Sequence, residues 1–167
     1  MLQPLRRRTW APRGQTPIQK SWHRHDRLSV ISALAVAPYY RRLGLYFRIH
    51  DHNIRTKEVL EFIKSLRRHL RRHITLVLDR WSVHRAGVRR LLEAGVSWLE
   101  VEWLPPYAPE LNPTEQVWTH TKYGDLANFI PEDVEHLSSE VADSLAATGS
   151  DKSLLLAFFK HAQLDLK

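Results

Sequence analysis

The run "ITLVLD", Ile74 to Asp79, limits the fold more than any other stretch of this chain. It is a continuous apolar segment that stops abruptly at a carboxylate. Runs of this kind suit strands buried on both faces of a parallel sheet. Parallel strands cannot be joined by a tight turn and need a crossover, usually a helix. The flanking sequence supplies one. Residues 84–94 read as a short helix closed by Gly95, and "WLEVEWL" at 98–104 reads as the next strand. Upstream, "LSVISALAV" (28–36) and "LGLYFRIH" (43–50) read as two strands, with Pro38 and Gly44 bracketing the turn between them. Between 56 and 72 the apolar residues Val59, Ile63, Leu66 and Leu70 fall at the helical period. Helices are also expected from Pro113, over 132–147 and near 152–162. Strands alternating with helices predict an α/β layered domain.

With 167 residues, the chain suffices for one domain with a real core. It contains no cysteine, which removes disulfides and thiolate metal sites from consideration. No stretch of eighteen apolar residues and no charged-then-apolar leader is present, so the expectation is a soluble, cytoplasmic protein with no membrane partner. Charge divides the chain. Residues 1–123 hold 22 Lys/Arg against 10 Asp/Glu, a balance of +12, and residues 124–167 hold 3 against 8, a balance of −5. A basic body of this size favours a polyanionic partner, with nucleic acid first. A well-solvated basic surface is the plain alternative. Lys57, Lys64, Arg67, Arg68, Arg71 and Arg72 fall opposite the apolar stripe of the 56–72 helix. Lys64 and the four arginines are the candidate DNA-contacting residues, for positioning on phosphates without base readout.

The segment "LPPYAPELNPTEQVW" carries four prolines in fifteen residues and leads into a helix. Asn112 suits the N-cap, Pro113 the first helical position, and Glu115 the third, an arrangement resembling a capping box. Glu115 therefore has a structural reading, capping its own helix, and a chemical one. Asp79 weighs towards the chemical one. Functional crevices of open α/β sheets lie beyond the carboxyl ends of the strands. An Asp there is costly to ionise unless it is exposed, paired or bound to a cation. A plain turn-starting Asp remains the other reading. Asp79 and Glu115 converging on one crevice would suit a hard divalent cation such as Mg²⁺ or Mn²⁺. Such ions are the usual apparatus of phosphodiester chemistry.

"LVLDRWSVH" and "LPPYAPELNPTE", which separate Asp79 from Glu115 by 35 residues, resemble the second and third acidic positions of DDE transposases. The resemblance is to the bacterial insertion-sequence branch of the Tc/mariner superfamily. "RRTWAPRGQTP" (7–17) also resembles the stretch that follows the first catalytic strand in that branch. This resemblance implies an RNase H-like (retroviral-integrase-like) mixed sheet flanked by helices. It implies metal-dependent DNA strand cleavage and strand transfer, with Asp79 and Glu115 as catalytic metal ligands. Transposon ends and target DNA would be the partners, in the cytoplasm at the nucleoid. The chain departs from the family pattern at its start. "MLQPL" precedes the "RRTWAPRG" segment, and no Asp precedes Asp26. The expectation is a truncated transposase lacking the first strand and first catalytic Asp, inactive alone, and completed by self-association or by an N-terminal transposase fragment. The alternative is a non-catalytic basic DNA-binding remnant. On this reading residues 1–27 are a basic irregular arm, 28–123 a partial catalytic core, and 124–167 a helical extension of the same domain.

Other residues invite weaker readings. His84, five residues after Asp79, is a candidate for proton transfer or phosphate contact, and otherwise a surface histidine at a helix start. Asn112 is a second accessory candidate. "HRH" at 23–25 and "HDH" at 50–52 could supply imidazoles to zinc, but no third partner announces itself and solvated turn histidines are the ordinary reading. Asp51 is a conceivable stand-in for the missing carboxylate, placed at an expected sheet edge. Trp81, Trp103 and Trp118 flank the acidic motifs and read as crevice wall or as base-stacking surface.

Overall fold

A computed structural model describes residues 7–8, 10–15, 28–37, 42–164 and 166. The order of elements is β1 (Ser29–Val36), β2 (Leu43–His50), α1 (Thr56–Leu70), β3 (Ile74–Leu78), α2 (Ser82–Glu93), β4 (Leu99–Trp103), α3 (Pro113–His120), α4 (Val134–Ser150) and α5 (Lys152–His161). Every expected element is present, with ends shifted by a residue or a few. The "HRH" motif at 23–25 lies outside the described residues.

Helix α1 stops at Leu70 because Arg71 takes a left-handed conformation (φ 54°), and its N–H closes on the Arg67 carbonyl. Val59, Phe62, Ile63 and Leu66 form its buried stripe. At the helix start, Glu58 accepts from the Arg55 N–H at 2.8 Å and so fixes the first turn. After α3 the chain continues as one turn of π-helix, Thr121–Asp125. Thr121 is buried there, and Ser144 of α4 donates to Asp125 Oδ2 at 2.6 Å and lies 3.1 Å from Thr121 Oγ1.

Among the described residues the strands make two separate two-stranded sheets. β1 and β2 form an antiparallel hairpin running from Ser29↔His50 to Val36↔Leu43. β3 and β4 pair in parallel from Ile74↔Leu99 to Leu78↔Trp103. The hairpin joins the halves by facing both ways, as successive residues of a strand must. Val30 and Leu34 pack on a core built from Val117, Leu126, Leu137, Val141, Leu145 and Leu155, whereas Ile31 packs on a second core of Val59, Ile63, Leu91 and Leu99. The first core draws on β1, β2, α3, α4 and α5, and the second on α1, α2, β3 and β4.

One expectation is corrected. β3 is not buried on both faces: Ile74, Leu76 and Leu78 are partly buried, while Thr75 is exposed and Val77 is 56% exposed. The apolar run misled because α1 and α2 cover one face only. On the other face β4 carries Glu100 and Glu102, both exposed, and Thr75 donates its hydroxyl to Glu100 at 3.2 Å.

The α1–α2 packing depends on Gly87. A Cβ at this position would stand 2.9 Å from Cγ1 of Val59, itself 1% exposed and unable to withdraw. Ala is the better helix former by about 1 kcal/mol, yet overpacking typically costs about 1–3 kcal/mol. Gly87→Val should therefore lower stability by about 1–3 kcal/mol in denaturant unfolding. Gly124→Val serves as the reference, since a Cβ there meets nothing within 4 Å.

Candidate active site

Parallel pairing sends the carboxyl ends of β3 and β4 to the same side of the domain. Leu104 N–H donates to the Leu78 carbonyl at 2.8 Å, extending the ladder past the last strand residue. Arg80 Nε donates to the Leu104 carbonyl at 3.2 Å and ties the two chain exits together. Asp79 thus leaves β3 beside the point where the proline-rich segment leaves β4.

That segment returns the chain to the crevice. Leu111 and Asn112 donate to the Ala108 and Pro109 carbonyls in a single 3₁₀ turn, Pro109–Leu111. Asn112 then caps α3, its Oδ1 accepting from the Thr114 N–H at 3.1 Å. The expected capping box is only half present. Asn112 caps as read, but its own N–H goes to Pro109, and Glu115 bonds to Asn112 through its backbone N–H, at 3.0 Å. Proline at the first helical position and the 3₁₀ turn already satisfy the groups a capping glutamate would serve. The Glu115 carboxyl is left for other work.

A crevice of about 410 Å³ opens between these pieces, lined by Asp79, Arg80, the loop from Leu104 to Pro109, Asn112 and Glu115. Two of the sequence-predicted carboxylates and the accessory Asn112 therefore meet in one place. The pocket falls in the size range of sites for small ligands. Glu115 keeps solvent access, but the crevice wall displaces part of its water, and Asp79 adds like charge. Both effects raise its pKa above the usual glutamate value, the loss of water more than Asp79.

Asp79 is held by two hydrogen bonds on one oxygen. Oδ1 accepts from the Trp81 N–H at 3.0 Å and pairs with His84 Nδ1 at 2.7 Å. Oδ2 is thereby left to another partner. His84 is largely buried, 17% exposed, and the Trp81 indole meets it edge-on at 5.1 Å. His84 does not line the crevice and reaches it through Asp79. Trp81 is 47% exposed beside the site.

His52 of the "HDH" motif is engaged elsewhere. His52 Nδ1 pairs with Asp51 at 2.7 Å, and its Nε2 lies 3.5 Å from Glu58. Asp51 is 84% exposed and is absent from the crevice lining. Among the described residues no group of three or more His, Cys, Asp or Glu is arranged to hold a metal ion. The chemistry of Asp79 and Glu115 nevertheless fits a hard divalent cation, because two oxygen donors that repel each other gain from a positive charge between them.

The basic face of α1 divides on inspection. Lys64, Arg68, Arg71 and Arg72 are exposed. Arg67 is part-buried, donates to the Arg72 carbonyl at 3.0 Å and lies 5.9 Å from the Trp98 ring, so it is spent partly on the helix end. Two crevice residues escape a reading of the sequence. Arg80 is legible only as the cation next to Asp79. Tyr107 is marked only by three neighbouring prolines, and it is fully exposed with a positive φ of 58°.

No helix among the described residues is long and apolar enough to cross a membrane. A family model described as DDE superfamily endonuclease matches residues 1–138. Among solved structures, the crystal structure of the Mos1 strand transfer complex aligns with a TM-score of 0.60 at 16% identity. The alignment covers 97% of this chain and 47% of that one, so the chain spans about half the length of this structural relative. No curated protein matches the chain. The structural likeness identifies the fold as RNase H-like. With the family model covering residues 1–138, the chain belongs to the DDE superfamily endonucleases.

Proposed function

We propose that this chain is a transposase-derived protein whose Asp79 and Glu115 belong to a metal-dependent site for DNA strand cleavage and strand transfer. One observation carries the reading: both carboxylates line a single crevice, where lost water and, to a smaller extent, the charge of Asp79 raise the pKa of Glu115. A Mg²⁺ or Mn²⁺ ion held there would supply charge stabilisation and activate an attacking oxygen. Asp79 and Glu115 would ligate it, His84 would orient Asp79, and Asn112 would hold Glu115 at the mouth by capping α3. Transposon ends and target DNA are the substrates of this reading, in the cytoplasm at the nucleoid. The arm at 1–27 and the exposed cations of α1 would hold the phosphates, and 124–167 is a helical extension of the same domain.

The site is incomplete on this reading. Two carboxylates give too few ligands to bridge a pair of ions and align an attacking oxygen. Among the described residues β1–β2 and β3–β4 are two separate two-stranded sheets, and two-stranded sheets are marginal by themselves. A strand from a second copy or from an N-terminal transposase fragment would close the sheet and bring the missing carboxylate. A non-catalytic DNA-binding remnant is the rival reading, and metal binding separates the two.

Because the Glu115 pKa is raised in the folded state, its contribution to stability is full below the unfolded value and is lost as pH rises through the folded value. Glu115→Gln should thus be more stable than wild type at pH 7 in thermal unfolding, by less than about 1 kcal/mol given the exposure of the carboxyl. The difference should vanish once the pH falls below the ordinary glutamate value. Mg²⁺ or Mn²⁺ should raise the wild-type midpoint and leave Asp79→Asn, Glu115→Gln unmoved; equal shifts in both would favour the remnant.

Binding to blunt duplex DNA should weaken steeply with salt. Charge reversal at Lys64, Arg68, Arg71 and Arg72 should lower the log–log slope by up to about 4, roughly one unit for each phosphate no longer neutralised. A slope that does not change would remove α1 from the interface.

Supercoiled plasmid incubated with the chain alone and Mg²⁺ or Mn²⁺ should remain uncut. Nicking that Asp79→Ala, Glu115→Ala abolishes would overturn the incomplete-site reading.

A further inference from the structure

Tyr107 is the least protected large side chain near the crevice. It is completely exposed, it sits at φ 58° where a non-glycine residue is strained, and it lines the same crevice as Asp79, Arg80 and Glu115. Strain of this kind persists only where the surroundings over-determine it. Here Pro105, Pro106 and Pro109 fix the backbone on both sides. The ring contributes nothing to the core, so the loop presents it outward at the rim. On the other strand exit Trp81 is half exposed, and its indole is braced edge-on against the largely buried His84. Tyr107 thus lines the crevice with the carboxylates, whereas Trp81, on the other strand exit, is not among the lining residues.

We propose that Tyr107 forms a stacking site for an unpaired nucleobase whose phosphate lies at the crevice. This rests on the reading of the chain as DNA-acting, and deepens it by naming the form of DNA. A base inside a duplex has both faces covered by its neighbours and offers none to an aromatic ring. A base at a frayed end, overhang or fork has a face free, and stacking on it is indifferent to sequence because every base has a π-face. The charge of the surroundings favours this occupant over an apolar protein surface: Arg80 stands at the crevice and residues 1–123 carry a balance of +12. The site therefore selects splayed DNA over blunt duplex.

The test compares two DNAs of the same duplex length, one blunt and one ending in a short unpaired tail that carries 2-aminopurine. Wild type should bind the tailed DNA more tightly and quench the 2-aminopurine. Tyr107→Ala should weaken tailed-DNA binding about 5- to 100-fold, relieve the quenching and leave blunt-duplex affinity unchanged. Tyr107→Phe should retain both preference and quenching, because the ring and not the hydroxyl is used. Tyr107 takes no part in the core, so both variants should fold, and circular dichroism checks this. If Tyr107→Ala binds tailed DNA like wild type, with quenching intact, the stacking site is wrong while the DNA-acting reading stands. If wild type binds neither DNA, both fall. If Tyr107→Ala instead changes the sedimentation coefficient and leaves DNA binding alone, Tyr107 is a protein contact and the proposal is overturned.

Discussion

The geometry of this chain depends on a five-residue parallel ladder, Ile74–Leu78 against Leu99–Trp103. Because the strands run the same way, whatever follows each of them emerges at one end of the domain. Asp79 follows the first, and the loop to Glu115 follows the second. An antiparallel pairing of the same strands would send the two carboxylates to opposite ends. The ladder is short, so the interactions that extend it matter: the Leu104 N–H on Leu78, and Arg80 on the Leu104 carbonyl. They carry the register beyond the strands to the residues lining the crevice.

The crevice itself is an arrangement of unequal carboxylates. Asp79 is anchored through Oδ1 by His84 and the Trp81 N–H. Glu115 has lost part of its water and faces Asp79, so its charged form is disfavoured. One group is anchored by its neighbours, and the other bears the cost of lost water and of a like charge. The fold that carries this crevice is RNase H-like, and the chain belongs to the DDE superfamily endonucleases.

Much of this is legible in the residues. Apolar runs and the 3–4 spacing locate β1 to β4 and α1, and capping residues locate α3, whereas the 3₁₀ turn at Pro109–Leu111 and the π-helical turn at Thr121–Asp125 leave no such signal. The carboxylate ending "ITLVLD" and the proline entry to Glu115 identify the crevice. What escapes the sequence is set by tertiary context. Val77 looks like a core residue and lies exposed, since nothing in the sequence says which face of β3 lacks a cover. Glu115 looks like a capping residue, and only the backbone path through the 3₁₀ turn shows that the cap is made without it. Arg67 looks like one cation of a uniform basic face, although its guanidinium reaches back to Arg72 and Trp98. Tyr107 carries no periodic signal, because a loop residue at positive φ obeys no period.

The prolines of the crevice loop have a thermodynamic side as well. Proline restricts φ in the unfolded chain and so lowers the entropy lost on ordering. With Pro105, Pro106, Pro109 and Pro113 spaced along one wall, much of the ordering of the Leu104–Glu115 path is built in before any ligand arrives. A ligand entering this crevice would meet a surface already set, and its binding would carry little of the unfavourable conformational entropy typical of flexible active-site loops. The wall gives up adaptability in return: a ligand of the wrong shape would find no slack in it.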